Sequence, residues 1–516
     1  MLNEVNLQGK NKAELIEFVH AVLHAKQQEV DTKQQHIDYL YEKIRLLKLG
    51  KFCARSERYI DNDPQGRLFD EAELPENTSE IEVAEAEITI PAHQRKKRGR
   101  KPLPKDLPRV EVIHDLSDEE KSCPCGCTLS PIGDERTEQL DIIPAKMQVI
   151  VHVHKKYACK VCEETIKTAK KPKQPIPKSI ATPGLLAHVL TQKYQFHLPL
   201  YRQEQMLRCI GVDISRATLS HWVIKCSELL QPLVNLLEDE VQSYDVAYAD
   251  ESTVQVLQEP DKPAQSKSYM WCFGGGPPDR FSLIYHYHAT REYQKAMDFF
   301  ADYKGYLHCD GYQAYDALSK TNGNVIQAGC WYHVRRKFVE ASKVSKKAGL
   351  ANHFIEQIQK LSKVEKVILN GKLNADEAKA YREEKAKPII NKIKLGLDNK
   401  AASVSSQSLL GKAIHYALNQ WHKLLTYLDD GRLEISNNRL ERAIKPFACG
   451  RKNWLFANSV EGAKAAAIIY SLIETCKAHD VDPHTWLRST LEKIPSAETI
   501  DQFEALLPFY FKKNPV

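Results

Sequence analysis

No stretch of this chain approaches the roughly 18 consecutive apolar residues that a bilayer-spanning helix needs. The opening Met1-Leu-Asn-Glu-Val-Asn6 has neither the basic start nor the apolar core of a signal peptide. These absences exclude a membrane-spanning reading and make a cytoplasmic protein the expectation. The cysteines do not form an even set: there are 13, and an odd count in such a chain favours free thiols and a metal site over a disulfide framework. Nor does the composition have the apolar poverty of a disordered chain, since 42% of its 516 residues are hydrophobic and 27% charged, enough for several globular domains. The net charge of +6 excludes little, but it is unevenly placed. Asp70 to Glu87 holds eight acids and no base, whereas Arg95 to Lys105 holds seven bases and no acid. Blocks of one sign are solvated linkers or interaction tails.

What is present divides the chain into modules. Over 10–50, Ile16, Val19, Leu23, Lys26, Val30, Lys33, Ile37, Leu40, Ile44 and Leu47 keep a three-four spacing, which predicts a zipper helix. The two lysines in the seam make it a short zipper that supports a homodimer or higher oligomer only alongside other contacts; one amphipathic helix packed on its own domain is the alternative. Residues 51–92 form an acidic linker and 93–108 a basic arm, in which Arg98, Arg100 and Lys101 flank a glycine and suit an extended segment in a narrow minor groove. A solvated basic linker is the bland alternative. In 109–172, Cys123-Pro-Cys-Gly-Cys127 and Cys159-Lys-Val-Cys162 bracket a β-like alternation at Lys146–His154, the pattern of a structural zinc ribbon. The expected Zn2+ ligands are Cys123, Cys125, Cys159 and Cys162, with Cys127 as a possible substitute in the compressed first knuckle. Residues 178–241 read as helix, glycine turn at Gly211 and a second helix capped at Ser215, a helix-turn-helix pattern that would place Arg216 and Thr218 on DNA.

The centre of the chain is Val246-Ala-Tyr-Ala-Asp-Glu-Ser-Thr-Val-Gln-Val-Leu257, a strand-like apolar run broken by two carboxylates. Charges there resist burial unless they are paired or bind a metal. A second short strand ends at Asp310, and Glu441 falls in the first turns of a helix that Ser436 would cap, with Asn437 and Asn438 on the same face to orient it. The order of strands and helices from 242 to 339 predicts a mixed sheet covered by helices, in a ribonuclease-H-like layout. A helical insertion at 340–430 separates it from the second part of the core at 431–460, and 461–516 forms a C-terminal helical element. The fold class is therefore multidomain α+β, with Asp250, Asp310 and Glu441 as the proposed triad. Glu251 points off Asp250's face and reads as structural support.

Four blocks carry a resemblance: Ala249-Asp-Glu-Ser252; Cys309-Asp-Gly-Tyr-Gln-Ala-Tyr315; Gly329-Cys-Trp-Tyr-His-Val-Arg-Arg-Lys-Phe338; and Asn437-Asn-Arg-Leu-Glu-Arg442 with Gly450-Arg-Lys-Asn-Trp-Leu-Phe456. In these blocks and across nearly its whole length the chain resembles the transposases of the insertion-sequence-66 family, which carry an aspartate-aspartate-glutamate site. Thr253 stands where that family often has proline. The resemblance implies that Asp250, Asp310 and Glu441 are the catalytic acids, that the substrates are the element's inverted-repeat ends and a target DNA, and that small companion proteins accompany it. The chemistry agrees, because oxygen donors suit Mg2+ and a two-metal site can serve in-line attack on a phosphodiester. His333, Arg335 and Arg336 follow a strand end and are candidates for the scissile phosphate, while Arg451 and Lys452 are candidates for the DNA backbone. The rival expectations are a non-catalytic DNA-binding derivative and a metal-dependent nuclease without strand transfer.

Overall fold

The computed structural model describes residues 12–52, 147–158, 166–168, 172–291, 298–344 and 349–511. The expectations for the acidic linker, for Arg98, Arg100 and Lys101, and for Cys123, Cys125, Cys127, Cys159 and Cys162 lie outside these residues. The chain forms two compact units, 83–171 and a larger one made of 1–82 with 172–516. In the smaller unit, β1 (Lys156–Ala158) pairs antiparallel with β2 (Ile166–Thr168). The alternation at 147–154 forms no strand, contrary to expectation. Its valines meet solvent on their supposed inner face, with Val149 at 88% and Val151 at 77% exposure. Alternation stabilises a strand only where one face is covered.

The larger unit is organised on one mixed sheet. Its strands are β3 (Val246–Gln258), β4 (Lys267–Gly275), β5 (Ser282–His288), β6 (Gly305–Cys309) and β7 (Val325–Gly329), ordered β5-β4-β3-β6-β7, with a sixth, β8 (Ala457–Ser459), paired parallel to the far end of β3. β3 pairs antiparallel with β4, and β4 with β5; β3 pairs parallel with β6, and β6 with β7. The first part of β3 is apolar and buried from Val246 to Ala249, as expected of a strand covered on both faces. Ahead of the sheet come α2 (Pro183–Tyr194), α3 (Leu200–Cys209) and α4 (Arg216–Ser243). Ser215 caps α4 by accepting the Thr218 N–H at 3.2 Å. Along its remaining length, α4 buries Trp222, Leu230, Leu233, Leu237 and Val241 in the same core as the sheet. The edge strand β5 is closed by the later helix Val460–Ala478: Ser471 Oγ accepts the Tyr285 N–H at 2.7 Å and Thr475 Oγ1 the Leu283 N–H at 3.1 Å.

Beyond β6 the chain runs through α5 (Gln313–Thr321) to β7 and then α6 (Trp331–Val344). The expected insertion is helical: α7 (Gly349–Gly371), α8 (Ala375–Lys385), α9 (Lys387–Ala401), α10 (Leu409–Asn419) and α11 (Trp421–Leu425). Arg382, only 3% exposed, ties it together through both oxygens of Glu365, at 2.9 and 2.7 Å, and the carbonyls of Tyr427 and Asp430. The chain then returns to the open end of the sheet. There the Trp331 N–H donates to the Ile435 carbonyl at 3.1 Å, and His308 Nε2 lies 2.6 Å from the Glu434 carbonyl. This return delivers α12 (Asn438–Trp454), which is followed by β8 (Ala457–Ser459), α13 (Val460–Ala478), α14 (Pro483–Lys493) and α15 (Ile500–Glu504). At the other end of the chain, α1 (Lys12–Phe52) is one long helix whose Glu42 accepts the Leu409 N–H at 2.9 Å. Among the described residues no helix is long and apolar enough to cross a membrane.

Candidate active site

Register alone places two acids side by side. Tyr248 on β3 pairs with His308 on β6, and two residues onward along these parallel strands stand Asp250 and Asp310. Neighbouring strands lie about 4.8 Å apart, so both carboxylates leave the sheet at one level. Glu441 enters from the first turn of α12. The N-cap of that helix is Asn437, one residue later than the expected Ser436, and its side chain makes no cap. Instead, Asn437 is buried and its Nδ2 donates to the Ala249 carbonyl at 3.2 Å, pinning the helix start to the residue before Asp250. Asn438 opens the helix, and the Glu441 N–H donates to the Asn437 carbonyl at 3.0 Å.

The electrostatics report the convergence. Burial holds Asp250 well above the usual carboxylate range, and the charges of Glu251, Glu441 and Asp310 push it further up. Burial also raises Asp310, against the pull of its Tyr312 N–H bond at 2.9 Å and of Arg291, Lys423 and Arg336. Carboxylates that repel one another in a half-buried place are relieved by a divalent cation, and all the donors offered are hard oxygens, so the residues fit such an ion.

Two residues on α6 reach Glu441. His333 Nδ1 lies 3.6 Å from Oε1, and Arg336 Nη2 lies 3.5 Å from Oε2. Burial, with Arg336 and Lys337 nearby, lowers the His333 pKa to about 4, so its ring is neutral at pH 7. Arg335, by contrast, is 4% exposed and faces the protein. Arg451 on the last turn of α12 is bound by β3, donating to Thr253 Oγ1 at 2.6 Å and to the Thr253 carbonyl, with Lys452 beside it in sequence. Arg216 is exposed at the start of α4, and the Thr218 hydroxyl sits 3.0 Å from Ser215 Oγ within the cap.

Sequence reasoning missed three supports of the site. Glu251 is held by Arg291, whose Nε donates to it at 3.0 Å, and by Tyr315, whose hydroxyl donates at 3.1 Å. Arg291 in turn stacks on Tyr312, 3.8 Å from the ring centroid. Glu251 thereby links β3 to the helix that follows Asp310. The third is Lys423, buried at 5% exposure and paired with Asp316. No local pattern marks these residues; only Glu251, a charge one step from Asp250, gave a signal.

Comparison with known proteins finds one family along most of the chain. The profile of the "Transposase IS66 family" matches residues 178–465, the "IS66 C-terminal element" 471–509, the "zinc-finger binding domain of transposase IS66" 120–163, and the "Transposase C of IS166 homeodomain" 39–112. "Uncharacterized protein y4jD" of Sinorhizobium fredii is 31% identical over 512 residues, covering 95% of this chain and 98% of its own length. "Uncharacterized protein y4hP" of the same organism is 31% identical over 498 residues, covering 92% of this chain and 88% of its own length. With a family profile over more than half of its length and relatives matched almost end to end, this chain belongs to the IS66 transposase family.

Proposed function

We propose that the protein is a DNA transposase that cleaves the ends of its element and joins them to target DNA at Asp250, Asp310 and Glu441. The observation that carries this reading is that Asp250 on β3, Asp310 just beyond β6 and Glu441 on α12 lie near enough for the charges of Asp310 and Glu441 to push Asp250 up. The order β5-β4-β3-β6-β7, antiparallel on one side of β3 and parallel on the other, supports a ribonuclease-H-like core. The three acids would hold magnesium, which when bound supplies activation of the attacking oxygen and stabilisation of the leaving one. Around them, Asn437 keeps Glu441 at the sheet, neutral His333 stands beside it, and Arg336 offsets its charge near the scissile phosphate.

DNA would be gathered by Arg98, Arg100 and Lys101 in the basic arm, by Arg216 and Thr218 at the start of α4, and by Lys452 beside the site. Arg451 is better placed to hold β3 against α12. Cys123, Cys159 and Cys162 with Cys125 or Cys127 would bind structural zinc. On α1, Leu23, Val30, Ile37 and Ile44 recur every seven residues and are 44–60% exposed, which supports a zipper between two copies.

The test is Asp250→Asn. It is expected to abolish magnesium-dependent cleavage of the element's ends while leaving DNA binding intact; cleavage that persists would sink the assignment. A joining assay with pre-cut ends separates a transposase from a plain nuclease, which would make no joined product.

A further inference from the structure

Beside Glu441 lies a second group of ligand-type side chains with different donor chemistry. Cys330 stands directly before α6 and is 4% exposed. Its Sγ accepts the Asn437 N–H at 3.4 Å, at the start of α6. A backbone donor on a sulfur at a helix start favours the thiolate and resembles the shell that orients metal-bound cysteines. In the first turn of α6, His333 Nδ1 is buried, has no hydrogen-bond partner among the described residues and faces Glu441 Oε1. A sulfur, a ring nitrogen and a carboxylate oxygen from Cys330, His333 and Glu441 lie within 4.8 Å of one another.

We propose that Cys330, His333 and Glu441 form a site for a zinc-class divalent cation, and that filling it withdraws Glu441 from Asp250 and Asp310. Zinc bonds of about 2.0–2.3 Å in a tetrahedron set neighbouring donors about 3.3–3.8 Å apart. The His333–Glu441 separation of 3.6 Å already suits this, and the widest pair would close by about 1 Å. Magnesium rejects a thiolate, so the two kinds of ion are sorted by donor softness, with Glu441 the one carboxylate common to both. Burial pushes the free thiol up to about 12, so zinc would enter by displacing its proton. The consequence is inhibition by zinc of magnesium-supported DNA chemistry. That inhibitory role rests on the reading of Glu441 as a catalytic acid; the existence of the site does not.

The experiment uses full-length protein stripped of metal, reloaded with zinc and counted by elemental analysis, alongside Cys330→Ser and Cys330→Ala. Serine keeps an acceptor at the start of α6, and thermal melting checks that both variants fold. Each variant is expected to hold one zinc fewer per chain than the parent, the cysteine module contributing equally to all; an identical count in all three overturns the site. For the inhibitory role, the zinc concentration that halves cleavage in magnesium should rise at least about tenfold in Cys330→Ser, as expected on losing one of three ligands. Equal zinc sensitivity overturns that role. A parent protein that fails to cleave in magnesium would refute the transposase reading and leave the zinc count to decide this one.

Discussion

Asp250 carries a cost that its position imposes. Its folded-state pKa is raised, first by burial and then by neighbouring carboxylates. The folded protein therefore holds that proton more tightly than the unfolded chain, whose aspartates titrate near 3.9. The ionised form then costs stability at neutral pH, and the cost fades as pH falls through the folded pKa. Asp250→Asn should accordingly stabilise the metal-free protein at pH 7 by on the order of 1 kcal/mol, seen as a higher melting temperature, and the gap from the parent should narrow toward pH 5. The difference between the two proteins is the informative quantity. His308 and His333, both lowered to about 4 by burial, lose stability as pH falls through their unfolded value near 6.5 and act in the opposite direction in each protein. Calorimetry showing the variant less stable at every pH would contradict this account. On the proposed reading, a divalent cation bound by the three acids would offset this cost. At this scale the sequence was informative where a charge interrupts an apolar run, as at Asp250, and silent where a partner comes from afar, as with Arg291 and Tyr315 for Glu251.

Among the elements, α12 has the most to do with the site, and its start is unusual. An asparagine at the N-cap ordinarily satisfies the helix's own free N–H groups, yet Asn437 gives its side chain to β3. Asn437→Ala removes one buried hydrogen bond and leaves the Ala249 carbonyl without that donor. A cost of about 1–3 kcal/mol is expected, together with a higher magnesium requirement for cleavage. Urea unfolding and a magnesium titration read the two effects separately, and a destabilised variant with an unchanged magnesium requirement would show that Asn437 serves only the fold. The far end of α12 explains part of the block Gly450-Arg-Lys-Asn-Trp-Leu-Phe456. A Cβ on Gly450 would lie 2.7 Å from both His197 Nδ1 and Tyr470 Oη, so only glycine fits. Helix periods, strand ends and the cap at Ser215 were legible in the sequence because they depend on near neighbours, whereas the cap expected at Ser436 falls on Asn437. The strand expected at 146–154 was not, because alternation says nothing about whether a second strand arrives to cover it.

For the whole molecule, the question is how a catalytic core and its appendages divide the work on DNA. The basic run from Arg95 to Lys105 holds seven bases, and its removal should weaken DNA binding and flatten its salt dependence by about 0.9 in logarithmic slope for each phosphate left unneutralised. Fluorescence anisotropy across a salt series reads this directly; an unchanged slope would make the segment a linker only. The sequence by itself yielded the proposed module order and the proposed triad, and it determined the helical character of residues 349–425 and the family resemblance, because composition, periodicity and motif spacing are properties of the chain taken in order. The tertiary structure alone decided that α4 packs into the core of the sheet while exposing its first turn, that Arg335 and Arg451 are turned toward the protein itself, and that Glu441 reaches Asp250 across the insertion. It also set Cys330 and His333 beside that same carboxylate. These outcomes depend on strand register and on the return of the chain at Glu434–Asn437, where hydrogen bonds join residues more than a hundred positions apart, a relation that local spacing does not encode.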